Sequence, residues 1–245
     1  MTGNQLTSFG ETVQIGPPDP LCTAFAISEF NIAHNAMTGF WKSGVFVVGN
    51  PAPSTIGVIS LKVNANHIVP WSLAPFPSVP EGIIIKGRVA GFIISENHIN
   101  GTPGSFGIHI FPEVTPSLVH PAVGLVVNNL LNGSGSSTGI SSNTAGSGAI
   151  EINHNLVTDF TPPYSIAGAE YVQGITLPFA ALSSLLQPGS TAYCPDCGFV
   201  SAAAPACILN AGGPGAFASK IPLGGPVDSE RMLCPFAILT ASFKR

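Results

Sequence analysis

Charge is scarce in this sequence: Asp, Glu, Lys and Arg make up 8% of its 245 residues, against about 25% in an average soluble domain. The basic side chains are scattered at Lys42, Lys62, Lys86, Arg88, Lys220, Arg231, Lys244 and Arg245. No basic patch is there to neutralise a phosphate backbone, which excludes nucleic acid as a partner. Long apolar runs are also missing. The stretches 44–49 and 122–127 are far too short to span a bilayer, so no membrane insertion is expected. The opening MTGNQLTSFGETVQ has neither the basic segment nor the apolar core of a secretory signal. Long helices are disfavoured as well, because 28 Gly and 23 Pro interrupt the chain and charged helix formers are few. What is present is 45% apolar residues, enough to build a core rather than a disordered chain. The composition points to an all-β, loop-rich fold with a polar but uncharged surface.

An internal repeat organises the first two thirds of the chain. The segment IISENHING (93–101) returns as LVVNNLLNG (125–133), and the same frame finds NIAHNAMTG, KVNANHIVP and EINHNLVTD. The anchors Asn35, Asn66, Asn97, Asn129 and Asn155 lie 31, 31, 32 and 26 residues apart. Three positions before them stand Ile32, Val63, Ile94, Val126 and Ile152, and two after stand Met37, Ile68, Ile99, Leu131 and Val157. Five before stand Phe30, Leu61, Phe92, Gly124 and Ile150, where Gly124 breaks the apolar rule.

Alternation before the Asn means a short strand with one face buried. The apolar residue after it means that the chain turns there and points inward again. A spacing near 30 residues is too long for hairpins and fits the coils of a solenoid. Stacked coils would bring the Asn side chains to a spacing of roughly 4.8 Å. Asn is both donor and acceptor, so each amide can bond to the next, whereas stacked Asp would repel. Additional strands are expected at 44–49, 81–91 and 106–111, with Pro-rich outer loops at 50–54 and 70–80.

This G/F-x-I-x-x-N-x-I pattern over residues 25–160 resembles the right-handed parallel β-helix superfamily of pectate lyases and phage tailspikes. The resemblance implies a fold and leaves function open, because that fold carries lyases, hydrolases, epimerases, adhesins and spacers. Residues 1–24 are then expected to form an N-terminal segment or cap, 161–190 a connecting segment, and 191–245 a Cys-rich C-terminal unit. PFAALSSLLQPG (178–189) reads as a short capping helix with Pro at its start and Pro-Gly as its stop. YCPDCGF (193–199), together with Cys207, GGPGAFA (212–218) and Cys234, resembles a Cys-containing tail found after β-helices in bacterial and phage surface proteins. Cys194, Cys197, Cys207 and Cys234 could form two disulfides or hold a structural zinc, and the pattern leaves both open. Cys22 reads as a buried or free thiol, and no other cofactor is implied.

Candidate chemistry is sparse. β-Helix polysaccharide enzymes work with acids, or with a basic residue and calcium, on an outer face, and the sequence holds no Asp cluster suited to calcium. Positions four, two and one before the Asn should face outward, and among them Glu96 and Glu151 are the only acids. They stand two coils apart, roughly 10 Å if vertical, which is too far for a retaining pair and marginal for an inverting one. His67 and His98 each follow an anchor and should stack, as ligands of a metal or an acid or simply as turn residues. Trp41 and Trp71 offer flat surfaces to sugar rings, or anchor the core. The outward set Ile93, Leu125 and Val127 makes an apolar stripe on a face that should be wet, as under a loop or another subunit.

These features favour a non-catalytic β-helical surface or appendage protein, tail-like or adhesin-like, that binds glycans or other subunits. The alternative is a polysaccharide lyase, hydrolase or epimerase. The expected partners are a glycan or cell-surface polysaccharide and further copies of the chain, with a closed trimer as one form. The expected location is extracellular, at a cell surface or on a virion. Without a signal segment, that requires another export route, assembly inside the cell, or a longer parent chain.

Overall fold

The computed structural model describes residues 1–7, 10–16, 27–49, 58–71, 80–87, 89–111, 123–143 and 149–166, and strands between 170 and 237. The chain divides into two units, Met1–Glu170 and Tyr171–Arg245. Every regular element among the described residues is a strand.

The first unit is built of three parallel sheets to which successive coils contribute in turn. The first face contains Asn31–Ala33, Lys62–Asn64, Phe92–Ser95, Val123–Val127 and Ala149–Asn153 as successive neighbours. The second contains Gln5–Thr7, Ala36–Phe40, His67–Pro70, His98–Asn100, Leu130–Gly135 and Leu156–Phe160. The third contains Glu11–Ile15, Ser43–Val48, Glu81–Lys86, Phe106–Phe111, Thr138–Ser142 and Tyr164–Ile166. A small fourth sheet joins Ile27–Ser28, Val58–Ile59 and Val89–Ala90. Neighbours in parallel register come from consecutive coils, as in Ile32↔Val63 and Ile94↔Val126. This is the arrangement of a parallel β-helix, with its core on the inner side of the faces.

The repeat positions map onto that core. Ile32, Val63, Ile94, Val126 and Ile152 are all 0% exposed, as are Met37, Ile68, Ile99 and Leu131. Gly124 breaks the rule for a steric reason. A Cβ there would come within 2.0 Å of the ring tip of Phe92, its register partner, so the large ring of one coil occupies the space that the next leaves empty.

Each coil turns sharply just before its Asn. His34, Ala65, Glu96, Asn128 and His154 have φ between 51° and 58°, a left-handed conformation at five non-glycine positions. A second corner repeats at Glu29, Ser60 and Gly91, with φ of 57°, 57° and 69°. The turn lets the following Asn point inward. Asn35, Asn66, Asn97, Asn129 and Asn155 are each at most 7% exposed and form one continuous column. Each Nδ2 donates to the next Oδ1 at 2.9–3.0 Å. That same oxygen accepts the backbone N–H of the preceding Asn at 3.0–3.1 Å. The second amide hydrogen of Asn66, Asn97, Asn129 and Asn155 goes to the carbonyl three positions before the previous anchor. The inward-pointing amides are thereby saturated, which is the condition for burying them.

The column has one rung beyond the five anchors of the repeat. Asn4 donates from its backbone N–H and Nδ2 to Asn35 Oδ1 at 3.1 and 3.0 Å. Residues expected to form a cap thus supply strands Gln5–Thr7 and Glu11–Ile15 to the second and third faces.

The second unit holds a six-stranded sheet ordered Ile175–Thr176, Thr191–Cys194, Ala216–Ile221, Arg231–Ala237, Ala204–Leu209, Cys197–Ser201. Its pairings are antiparallel apart from the first, which is parallel. The helix expected at 178–189 lies outside the described residues.

Candidate functional site

The corner geometry determines which way the candidate side chains face. Glu96 sits at the left-handed corner position and is exposed. Glu151 lies on the first face, where its carboxylate accepts a hydrogen bond from the Asn153 side-chain amide. Register puts Glu151 in line with Leu125 and Ile93, two coils and three residues away from Glu96. The fold does not bring the two acids together. Ala33 and Asn153, expected to face outward, are 2% and 8% exposed, whereas Asn64, Ser95 and Val127 at the same repeat position are partly exposed.

His67 and His98 stack as expected, with ring centroids 4.9 Å apart and planes at 28°. His98 is already engaged, since the Asn132 side-chain amide meets its Nε2 at 3.0 Å. An amide nitrogen only donates, so that ring nitrogen is the acceptor and its lone pair is occupied. Thr158 donates to Asn132 Oδ1 at 2.9 Å and fixes the amide orientation. Among the described residues no group of three His, Cys, Asp or Glu is placed to hold a metal. Cys194 is fully buried and disulfide-bonded, which leaves it no thiolate to offer zinc. Cys197, Cys207 and Cys234 lie on strands Cys197–Ser201, Ala204–Leu209 and Arg231–Ala237, and their side chains are outside the described residues.

Trp41 and Trp71 follow Phe40 and Pro70, which are register partners on neighbouring coils. Both Trp residues are half-buried at the end of the second face, where the Trp71 backbone N–H donates to the Phe40 carbonyl at 2.9 Å. Beside them the Lys42 ammonium lies 5.3 Å from the Trp41 ring centroid and 3.3 Å from Glu11.

This corner runs directly into a cluster that the repeat pattern does not single out. Glu81 N–H donates to the Lys42 carbonyl at 2.7 Å, which places Glu81 at the start of its third-face strand beside the Trp corner. Its carboxylate accepts a hydrogen bond from His109 Nδ1 at 2.8 Å, and both side chains are about four-fifths buried, at 19% and 20% exposure. The imidazole lies between two rings, with Phe106 at 4.2 Å and 15° and Phe111 at 4.3 Å and 34°. Lys86 stands 5.6 Å from the Phe111 centroid. Register adds Phe46 and Ile84 in line with His109 on one side, and Ser141 and Ser165 on the other.

Strand alternation explains His109 and Phe111, whereas Phe106 shares the parity of Ile108 and is partly exposed because Gly107 and Ile108 are buried in succession. Ile108 and Ile110 point into the core at 0% exposure, so His109 and Phe111 must point out. The result is a rigid outer surface of flat apolar rings with a carboxylate, an imidazole, an ammonium and hydroxyls among them. The signal available in sequence is the alternation over 108–111, which marks His109 and Phe111 as outward and leaves Phe106 unmarked. No protein-family model, curated protein or solved structure matches this chain.

Proposed function

We propose that this chain is a non-catalytic surface or appendage protein of the right-handed parallel β-helix type, whose third face binds glycans. The observation that carries the reading is the Phe106–His109–Phe111 ring row with Glu81 fixed on the imidazole. Sugar rings present apolar C–H faces that pack on aromatic rings, and hydroxyl edges that bond to carboxylates, imidazoles and ammonium groups. Hydrogen-bonded strands hold these groups in place before binding, which lowers the ordering cost of recognition. A half-buried patch of this kind is otherwise unfavourable on a wet outer face. Trp41 and Trp71 extend it along the neighbouring corner. A surface or virion location and disulfides in the second unit, with Cys194 in one, fit this reading.

Catalysis has less support, because Glu96 is a corner residue and Glu151 is tied to Asn153. The test is a glycan array, run beside reducing-end and unsaturated-product assays on the bound glycans. Binding without product formation is the expected result. Product release would make the chain a polysaccharide-cleaving enzyme, and absence of binding across the array would overturn the glycan reading.

A further inference from the structure

The first face carries a pattern of a different kind. In strand Val123–Val127 the outward residues Val123, Leu125 and Val127 are apolar, although the inward Val126 already faces the core at 0% exposure. Strands that are apolar on both sides belong in sheets covered on both sides. Ile93 is the register partner of Leu125 and widens the patch, while Val123 is 55% exposed. The rim is polar, with Asn31, Lys62, Asn64 and Glu151. An apolar centre with a polar rim is the anatomy of a protein interface.

The order of residues along the solenoid says what covers it. Successive register partners form the column Lys62, Ile93, Leu125, Glu151. Read backwards, the column becomes acid, aliphatic, aliphatic, base. We infer that the first face is a two-fold interface between two copies of this chain, packed face to face with their solenoid axes antiparallel. A two-fold axis parallel to the strands, passing between the Asn97 and Asn129 coils, reverses coil order and keeps each column opposite itself. Lys62 then meets Glu151 of the second copy, and Ile93 meets its Leu125.

The same axis sets the neighbouring columns. Ser95 lies opposite Val127, and the largely buried Asn153 lies opposite Asn64. The exposed Val123 opposes Gly91, whose missing side chain leaves room, since only Ser60 atoms at 3.6 and 3.9 Å would lie near a Cβ there. An isologous contact demands this self-complementarity, because each residue must match its symmetry mate across the axis. The low charge of the chain leaves little general repulsion to oppose pairing. The inference is independent of glycan binding, which uses the third face.

Charge exchange tests it. Sedimentation equilibrium of the intact chain up to about 1 mM should show a monomer–dimer equilibrium. Lys62→Glu alone and Glu151→Lys alone should each weaken it at least tenfold, by placing like charges opposite each other. An equimolar mixture of the two single variants should restore a dimer, and the double variant Lys62→Glu/Glu151→Lys should self-associate like the parent. Thermal melts of each single variant establish that it is folded. A parent that stays monomeric, a trimer, or single variants whose mixture does not re-form a dimer would each overturn the two-fold.

Discussion

The Tyr164 hydroxyl donates to the Asn155 carbonyl across 3.1 Å, in the place that a backbone N–H of the next coil takes on every earlier rung. Asn4, Asn35, Asn66, Asn97 and Asn129 give their carbonyls to Ala36, His67, His98, Leu130 and Leu156 at 2.8–2.9 Å. The last rung is satisfied by a side chain instead. Asn155 Nδ2 also turns back, to the Asn153 and Val126 carbonyls. The end of the column is therefore closed by local chemistry.

Removing that hydroxyl leaves a buried carbonyl without its donor, so Tyr164→Phe should cost about 1–3 kcal/mol in denaturant unfolding. Burial holds the phenol's pKa above its ordinary value. In the unfolded chain it ionises near pH 10, so above that pH the unfolded state binds fewer protons than the folded one. Stability from Tyr164 is thus complete below pH 10 and falls as pH rises, by about 1.4 kcal/mol per unit. The gap between the parent and Tyr164→Phe should be constant up to pH 9 and narrow above pH 10. A gap that does not change across that range would contradict the buried, neutral phenol.

Gly124 and Phe92 share one space. Gly124→Ala should destabilise the chain by about 1–3 kcal/mol, as overpacking of a filled core does. Phe92→Leu in the same chain should recover part of that loss, because the smaller side chain vacates the site. Additive effects in a double-mutant cycle would show that the two residues do not compete.

Asn97 lies in the middle of the ladder and makes four side-chain hydrogen bonds. Asn97→Leu orphans several buried groups at about 1–3 kcal/mol each, and should lower the melting temperature far more than Asn4→Leu at the exposed end. Equal effects at the two positions would argue that the amide column contributes little beyond its side-chain volume.

The corner before each Asn predicts a different sensitivity. Glu96 has a φ of 58°, a conformation that costs β-branched residues most. Glu96→Val should therefore lose about 1–2 kcal/mol, while Glu96→Gly stays within about 1 kcal/mol of the parent as relief of strain offsets unfolded-state entropy. Neither change should alter glycan binding. Urea midpoints for the pair check the first statement, and a Glu96→Gly chain that lost binding would contradict the second.

The coil is legible in the sequence because rotation past the Asn leaves a fixed mark, with apolar residues three before and two after each anchor. Asn4 carries half of that mark, since it stands 31 residues before Asn35 with Leu6 two positions on, paired with Met37. The other half falls on Met1, three positions before it, whose carbonyl accepts from Asn35 Nδ2 at 3.3 Å while Thr2 bridges Ala33. The left-handed corners carry no compositional mark, being His, Ala, Glu, Asn and His. The third face cannot be aligned from the anchors. Phe46, Ile84, His109 and Ser141 share one column, yet they follow their coil's Asn by 11, 18, 12 and 12 residues. Loops of variable length absorb the difference, so the Glu81–His109 contact emerges only when the strands are laid side by side.

If glycans bind on the third face, a titration of paired variants separates that face from the first. A glycan taken from the array is titrated calorimetrically into the parent, Phe106→Ala, His109→Ala and Leu125→Glu, after melts confirm that each is folded. Binding should be at least tenfold weaker for Phe106→Ala and for His109→Ala, since each removes one ring of the row. Parental affinity is expected for Leu125→Glu, which alters the first face instead. Parental binding by both third-face variants, or loss confined to Leu125→Glu, would contradict a third-face site.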